Sequence, residues 1–149
     1  MILSFSIATV LSLGLMIGVE FAVSAFINPI LWNLDEQARE QAVRLFARKL
    51  GRIMPFWYSG NLVLLVIQAI LFRGQPAIGT LAAACGIWVA VIILTLLFLV
   101  PINNRLARQD AALSPEEAHR QHRRWDGLHR ARVVALVSAY VLLLVGLHV

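Results

Sequence analysis

Four stretches of this 149-residue sequence are apolar for longer than a soluble core helix needs: residues 2–31, 55–72, 76–102 and 126–149. A run of about 18 or more apolar residues reads as a helix that crosses a bilayer. Composition agrees, with 60% hydrophobic residues, 14% charged residues and a mean hydropathy of +0.78. A soluble domain of this length has too much surface for its volume to bury so much apolar area, so lipid must serve as part of the solvent. The expected fold is all-α, one integral membrane four-helix bundle over residues 1–149. No Lys or Arg precedes the first run and no small-residue cleavage site follows it, so it reads as a retained span and not a removed signal.

The basic residues predict an orientation. Five lie between the first and second runs, Arg73 alone lies between the second and third, and seven lie from Arg105 to Arg132. The positive-inside rule then places the first and third loops in the cytoplasm and both termini outside. The net charge of +5 is distributed along span edges, where it meets anionic headgroups, and this argues against a nucleic-acid partner. Residues 34–53 form a further element. Leu34, Ala38, Ala42, Leu45, Phe46, Leu50 and Ile53 recur at helical spacing, which predicts a cytoplasmic amphipathic helix between spans one and two. Trp32, Trp57 and Tyr58 suit a headgroup belt beside it. Gly14 and Gly18 in the first run, and Gly79, Ala83 and Gly86 in the third, are small residues that let helices approach or let copies of the chain associate. Cys85, the single cysteine, lies inside an apolar run and carries no disulfide information.

Ionisable groups inside hydrocarbon cost roughly 2.5–3.5 kcal/mol each on insertion and mark function. Glu20 is the one acid outside the loops. A carboxylate at that depth is neutral or paired with a cation. Ser24 and Asn28 follow Glu20 at i+4 and i+8. Asn61 and Gln68 share a face of the second run, Asn103 and Asn104 end the third, and Trp125, His129 and Arg132 open the fourth at i, i+4 and i+7. With alternating direction, Glu20, Asn28, Asn61, Asn103, His129 and Arg132 all fall in the cytoplasmic half of the bilayer. Convergence of four helices on one polar site is the central expectation. Glu20 and Arg132 are expected to pair, which satisfies both charges.

Other chemistry finds less support. His119 and His122 stand i,i+3 after "SPEEA", a helix start with Ser114 as N-cap and Glu117 three residues on. No acid or thiol joins them at metal-ligand spacing. No Gly-rich phosphate loop and no G-x-S-x-G elbow is present. No cofactor is predicted. Haem on a core histidine is a minor alternative without a second core histidine, since His148 belongs to the opposite membrane face.

The motifs then bear a family likeness. "G-x-x-x-G" and "F-I-N-P" in the first run, Met54-Pro55 opening the second, "PINNRL" closing the third and "W-x-x-x-H-x-x-R" opening the fourth resemble the small four-span membrane proteins grouped with the fungal anthrone oxygenases. The likeness runs from about Gly14 to Arg132. It implies a cofactor-independent oxygenase, with a bacterial inner membrane as the expected location. Its substrate would be an apolar aromatic small molecule, a polycyclic phenol or quinone-like compound. A base makes an electron-rich anion from an acidic C–H beside a conjugated carbonyl, and that anion reacts with dioxygen. On this reading His129 is the base and Arg132 and Asn103, with Asn104, hold the developing oxyanion. Glu20 orients His129 or neutralises Arg132. Trp125 and Phe26 line an apolar slot for the rings, and Asn28 and Asn61 complete the substrate site. The alternative is a non-catalytic lipid- or quinone-binding protein, or a structural accessory subunit. A site predicts a cavity faced by Glu20, His129 and Arg132; structural glue predicts those groups bonded with no cavity.

Overall fold

The computed structural model describes residues 1–107 and 115–148. The expected Ser114 cap and the last residue of the fourth run therefore lie outside the described residues. Four long helices, α1 (Ile2–Trp32), α2 (Glu36–Leu71), α3 (Ile78–Arg105) and α4 (Pro115–His148), make up most of the described residues, and each is long and apolar enough to cross a membrane. Each helix packs on its neighbours in sequence and α4 closes back on α1. The result is an integral membrane four-helix bundle of up-down-up-down order. One end carries nearly all the basic residues and is called the basic end below.

Local sequence sets the helix boundaries. Asp35 starts α2 by accepting from the Ala38 N–H at 2.9 Å. The turn into α3 needs Gly74, whose φ of +88° lies in the left-handed region that favours glycine. The amphipathic segment expected over residues 34–53 is not a separate helix. It is the first half of α2, which continues through Pro55 into the membrane. Proline at a helix start is common, so "MP" reads as a beginning. Inside a helix Pro55 removes only the bond to Gly51 O, and neighbouring helices in membrane bundles tolerate that loss.

Two π turns interrupt the ladder, Val23–Ile27 in α1 and Thr95–Leu99 in α3. Each absorbs about one extra residue, so positions beyond it are rotated relative to an unbroken helix. In a plain α-helix Asn28 would stand roughly 80° around from Glu20; with the extra residue absorbed the offset falls to roughly 20°. Both residues are buried.

Polar bonds also staple α1 to α2 away from the basic end. The Ser12 hydroxyl donates to Asn61 Oδ1 at 2.6 Å, Trp57 Nε1 donates to Ser12 Oγ at 3.3 Å, and Gln68 Nε2 donates to Ser6 Oγ at 2.9 Å. Trp57 thus points into the bundle and not at a headgroup belt. Close approach of helices falls at the expected Gly14, where a Cβ would lie 3.0 Å from the Tyr140 hydroxyl oxygen, and at Gly146, which the sequence pattern does not single out. A Cβ on Gly146 would lie 2.7 Å from Thr80 Oγ1 and 3.0 Å from two Leu81 carbons, whereas one on Gly18, Gly79 or Gly86 would meet nothing within 4 Å. Thr80 is short, β-branched and bonded to Ala77 O, so it yields poorly. Gly146→Ala is expected to cost about 1–3 kcal/mol through overpacking, while Gly86→Ala should be neutral; unfolding of each in mixed micelles checks the contrast.

Candidate functional site

A buried turn of α4 and the middle of α1 supply the charged groups. His129 and Arg132 stand i,i+3 on α4 and so share a face that meets Glu20 of α1. Arg132 Nη2 donates to Glu20 Oε2 at 2.5 Å. The other carboxylate oxygen, Oε1, accepts from the Tyr58 hydroxyl of α2 at 3.0 Å. Arg132 Nη1 donates to Thr95 Oγ1 of α3 at 3.4 Å, and the guanidinium sits 5.6 Å from the Tyr58 ring centroid. All four helices therefore contribute to one polar cluster. Glu20, Tyr58, His129 and Arg132 are buried, so the ion pair is withdrawn from both water and acyl chains.

The partners of His129 fix its tautomer. Nε2 lies 3.2 Å from the backbone carbonyl of Glu20. A carbonyl only accepts, so Nε2 carries the hydrogen. Nδ1 then holds the lone pair and accepts from Arg132 Nη2 at 2.8 Å. Nδ1 is also 3.4 Å from Glu20 Oε2. With no proton on Nδ1 that contact is proximity only, and Arg132 Nη2 serves both acceptors. Trp125 lies flat on the imidazole, with centroids 4.7 Å apart and planes 9° from parallel.

Beside the cluster is a cavity of about 200 Å³. Glu20, Tyr58, His129 and Arg132 form its polar wall, and Val23, Leu50, Met54, Ile92, Leu96 and Leu99 are among its apolar lining. Both π turns supply lining residues, and π turns recur at functional sites. Pro55, Ser59 and Leu96, at its rim between α2 and α3, are exposed on the surface that faces lipid. A smaller cavity of about 70 Å³ adjoins it toward the basic end and shares Val23, Leu50, Asn103 and Trp125 with it. His122 and Asn28 line that second chamber. His122 stacks on Trp32 at 4.4 Å, so an aromatic column runs from Trp32 through His122 and Trp125 to His129. Asn28 Nδ2 donates to Asp126 Oδ1 at 2.9 Å.

One donor is left over. Arg132 Nε is buried and has no hydrogen-bond partner. A buried guanidinium N–H without an acceptor costs of order 1–3 kcal/mol or more, since the group is charged. Its residue lines the cavity.

The expected residues are thus sorted by the fold. Glu20, His129 and Arg132 meet; Trp125 and Asn103 line the cavity. Asn28 belongs to the adjoining chamber. Asn61 is not at the site. It lies one turn beyond Tyr58 on the same buried face of α2 and is committed to Ser12 and to Met16 Sδ. Asn104 is exposed and lines neither chamber, because consecutive helical residues diverge by about 100°. Phe26 is exposed too; it packs edge-on against Phe21 on the outer face of α1. Two members are not foreseen by the sequence pattern. Tyr58 sits in the bundle and not in a headgroup belt, and its spacing to Asn61, Leu65 and Gln68 follows one helical stripe. Thr95 gives no signal, being one hydroxyl in a run of leucines. Among the described residues no three His, Cys, Asp or Glu side chains gather where a metal ion could be held.

No curated protein and no solved structure matches the chain. The family model of the anthrone oxygenases does match, over residues 44–142. That stretch carries Tyr58, Thr95, Asn103, Trp125, His129 and Arg132, with Glu20 ahead of it. A match over well more than half of the sequence, on a four-span bundle that gathers these residues, establishes that the chain belongs to the anthrone oxygenase family.

Proposed function

We propose that the chain is a membrane oxygenase that takes an apolar aromatic substrate with one acidic oxygen into the cavity between its helices. The observation that carries this reading is the buried, hydrogen-bonded cluster of Glu20, Tyr58, His129 and Arg132 lining a largely apolar chamber. A phenolate or enolate oxygen would pair with the Arg132 guanidinium, and Asn103 would supply a further donor at the chamber's basic end. Fused rings would lie against the aliphatic lining and the Trp125 edge. Structural glue alone would leave no chamber, and a chamber is present. The basic loops would face the cytoplasm and both termini the outside of a bacterial inner membrane.

The chemistry needs only dioxygen as oxidant. Removal of a proton from the carbon opposite the ring carbonyl gives an enolate. The enolate carbon bonds to dioxygen, which takes up two electrons and, with a proton, becomes a hydroperoxide. Loss of the remaining C–H proton and cleavage of the O–O bond leave a quinone carbonyl, and the second oxygen departs as water. No resident cofactor is called for. A haem does not fit His129 as held, because the lone pair on Nδ1 is taken by Arg132 and Nε2 carries a hydrogen.

Oxygen uptake by purified protein with anthrone, measured against uncatalysed autoxidation, tests the reading. Arg132→Lys keeps the cation but loses the planar donor set, and the loss of an oxyanion donor is worth about 10²-fold in rate. A wild-type rate no faster than buffer, or an Arg132→Lys rate equal to wild type, overturns it. Anthrone bound without oxygen uptake favours the non-catalytic binding protein.

A further inference from the structure

We propose that Glu20, and not His129, is the base that takes the substrate proton, with His129 a positioning residue. This rests on the function proposed above and assigns its first step. Four ionisable groups line the cavity: Glu20, Tyr58, His129 and Arg132. An arginine stays protonated. The Tyr58 hydroxyl hydrogen is committed to Glu20 Oε1, and a neutral phenol is a poor base. The only lone pair of neutral His129 is occupied by Arg132 Nη2 at 2.8 Å, and its N–H is spent on the Glu20 carbonyl. Glu20 keeps capacity, because each carboxylate oxygen can accept two hydrogen bonds. Tyr58 takes one such place on Oε1 and Arg132 one on Oε2.

The balance of charge points the same way. Before the step the site holds one carboxylate and one guanidinium. The substrate C–H bond breaks, its proton passes to a Glu20 oxygen, and its electron pair moves through the ring onto the carbonyl oxygen. The enolate then carries the negative charge and Arg132 pairs with it. One anion replaces another beside the same cation, so no new charge appears in a medium of low dielectric. Protonation of His129 would instead create an imidazolium within 2.8 Å of the guanidinium, two like charges in contact. It would also require Arg132 to give up that hydrogen bond. The contacts of His129 suit a positioning role, since its N–H holds the α1 backbone at Glu20 and its lone pair aims Arg132.

Enolisation is separable from oxygen chemistry. Anthrone incubated with the protein in anaerobic D2O exchanges its methylene protons, and the proton NMR signal reports the rate. Glu20→Gln, close to isosteric, is expected to lose exchange by about 10²-fold or more. His129→Gln, which still offers an amide donor and a carbonyl acceptor, is expected to stay within a few-fold of wild type, while His129→Leu falls well below it; a base could not be rescued by an amide. Circular dichroism shows which variants are folded, and Glu20→Asp, expected to retain measurable exchange, stands in if Glu20→Gln is not. Folded His129→Gln that loses exchange to the extent expected of Glu20→Gln, or Glu20 variants that exchange like wild type, overturn the inference alone. Wild-type protein that exchanges no faster than buffer overturns the proposed function and this inference with it.

Discussion

Arg132→Leu alone is expected to destabilise the bundle by about 3–5 kcal/mol, and Glu20→Leu added to it is expected to recover most of that loss. The reason is what each change leaves behind. Glu20 is 2% exposed and bonded to Arg132 at 2.5 Å. Without the guanidinium its carboxylate keeps the Tyr58 hydroxyl but no cation. A charge buried in protein and surrounded by lipid has no water to turn to. Removing both charges removes both desolvation penalties, and two leucines fill comparable volume. The pair therefore contributes little net stability, yet each half is costly to delete. Unfolding free energies in mixed micelles of sodium dodecyl sulfate and a mild detergent give the double-mutant cycle. A double variant that loses as much as the two single variants added together would mean that the two groups do not depend on each other, contrary to the geometry. A stable double variant with no activity would separate what the pair does for chemistry from what it does for folding.

The same contrast explains what is legible in the sequence. Glu20, His129 and Arg132 stand out because an ionisable residue in an apolar run has few alternatives: it pairs, or it works. Span counting and helix direction bring them to one depth, and the observed distances agree. Tyr58 is hidden by its type, because a tyrosine near a span edge satisfies the interfacial rule equally well. Asn61 is misplaced for a related reason. With α2 read as starting at Pro55, Asn61 becomes the first carboxamide of the second span, and the buried position one turn earlier goes to the interface. The two π turns are harder still. Nothing in "VSAFI" or "TLLFL" announces an extra residue per turn. The turns follow from how α1 and α3 pack, and they decide that Asn28 shares a face with Glu20. The roles of the two imidazole nitrogens are out of reach of any sequence pattern, since they depend on one backbone carbonyl and one guanidinium arriving from different helices.

Trp88→Ala is expected to cost about 3–5 kcal/mol and to disturb the site as well as the core. Trp88 is 0% exposed, and its Nε1 donates to the Tyr58 backbone carbonyl at 3.1 Å. Its ring sits 6.0 Å from that of Tyr58. In a membrane the cost cannot come from moving apolar surface into water, because acyl chains are as apolar as the core. It comes from contacts that a closed void inside the bundle cannot replace. The lost hydrogen bond adds to it, so Trp88→Phe, which keeps much of the ring, is expected to cost about 0.5–1.5 kcal/mol for the bond plus a smaller packing loss. The functional consequence follows from the same contact. Trp88 pins the α2 backbone at the residue whose hydroxyl holds Glu20 Oε1, so freeing that backbone should loosen the carboxylate. Anaerobic exchange of anthrone by Trp88→Phe should therefore slow although no cavity-lining side chain has changed. If Trp88→Ala lost less than about 1 kcal/mol in micelles, α3 would not be packed against α2 as described, and the support beneath Tyr58 would have to come from another helix.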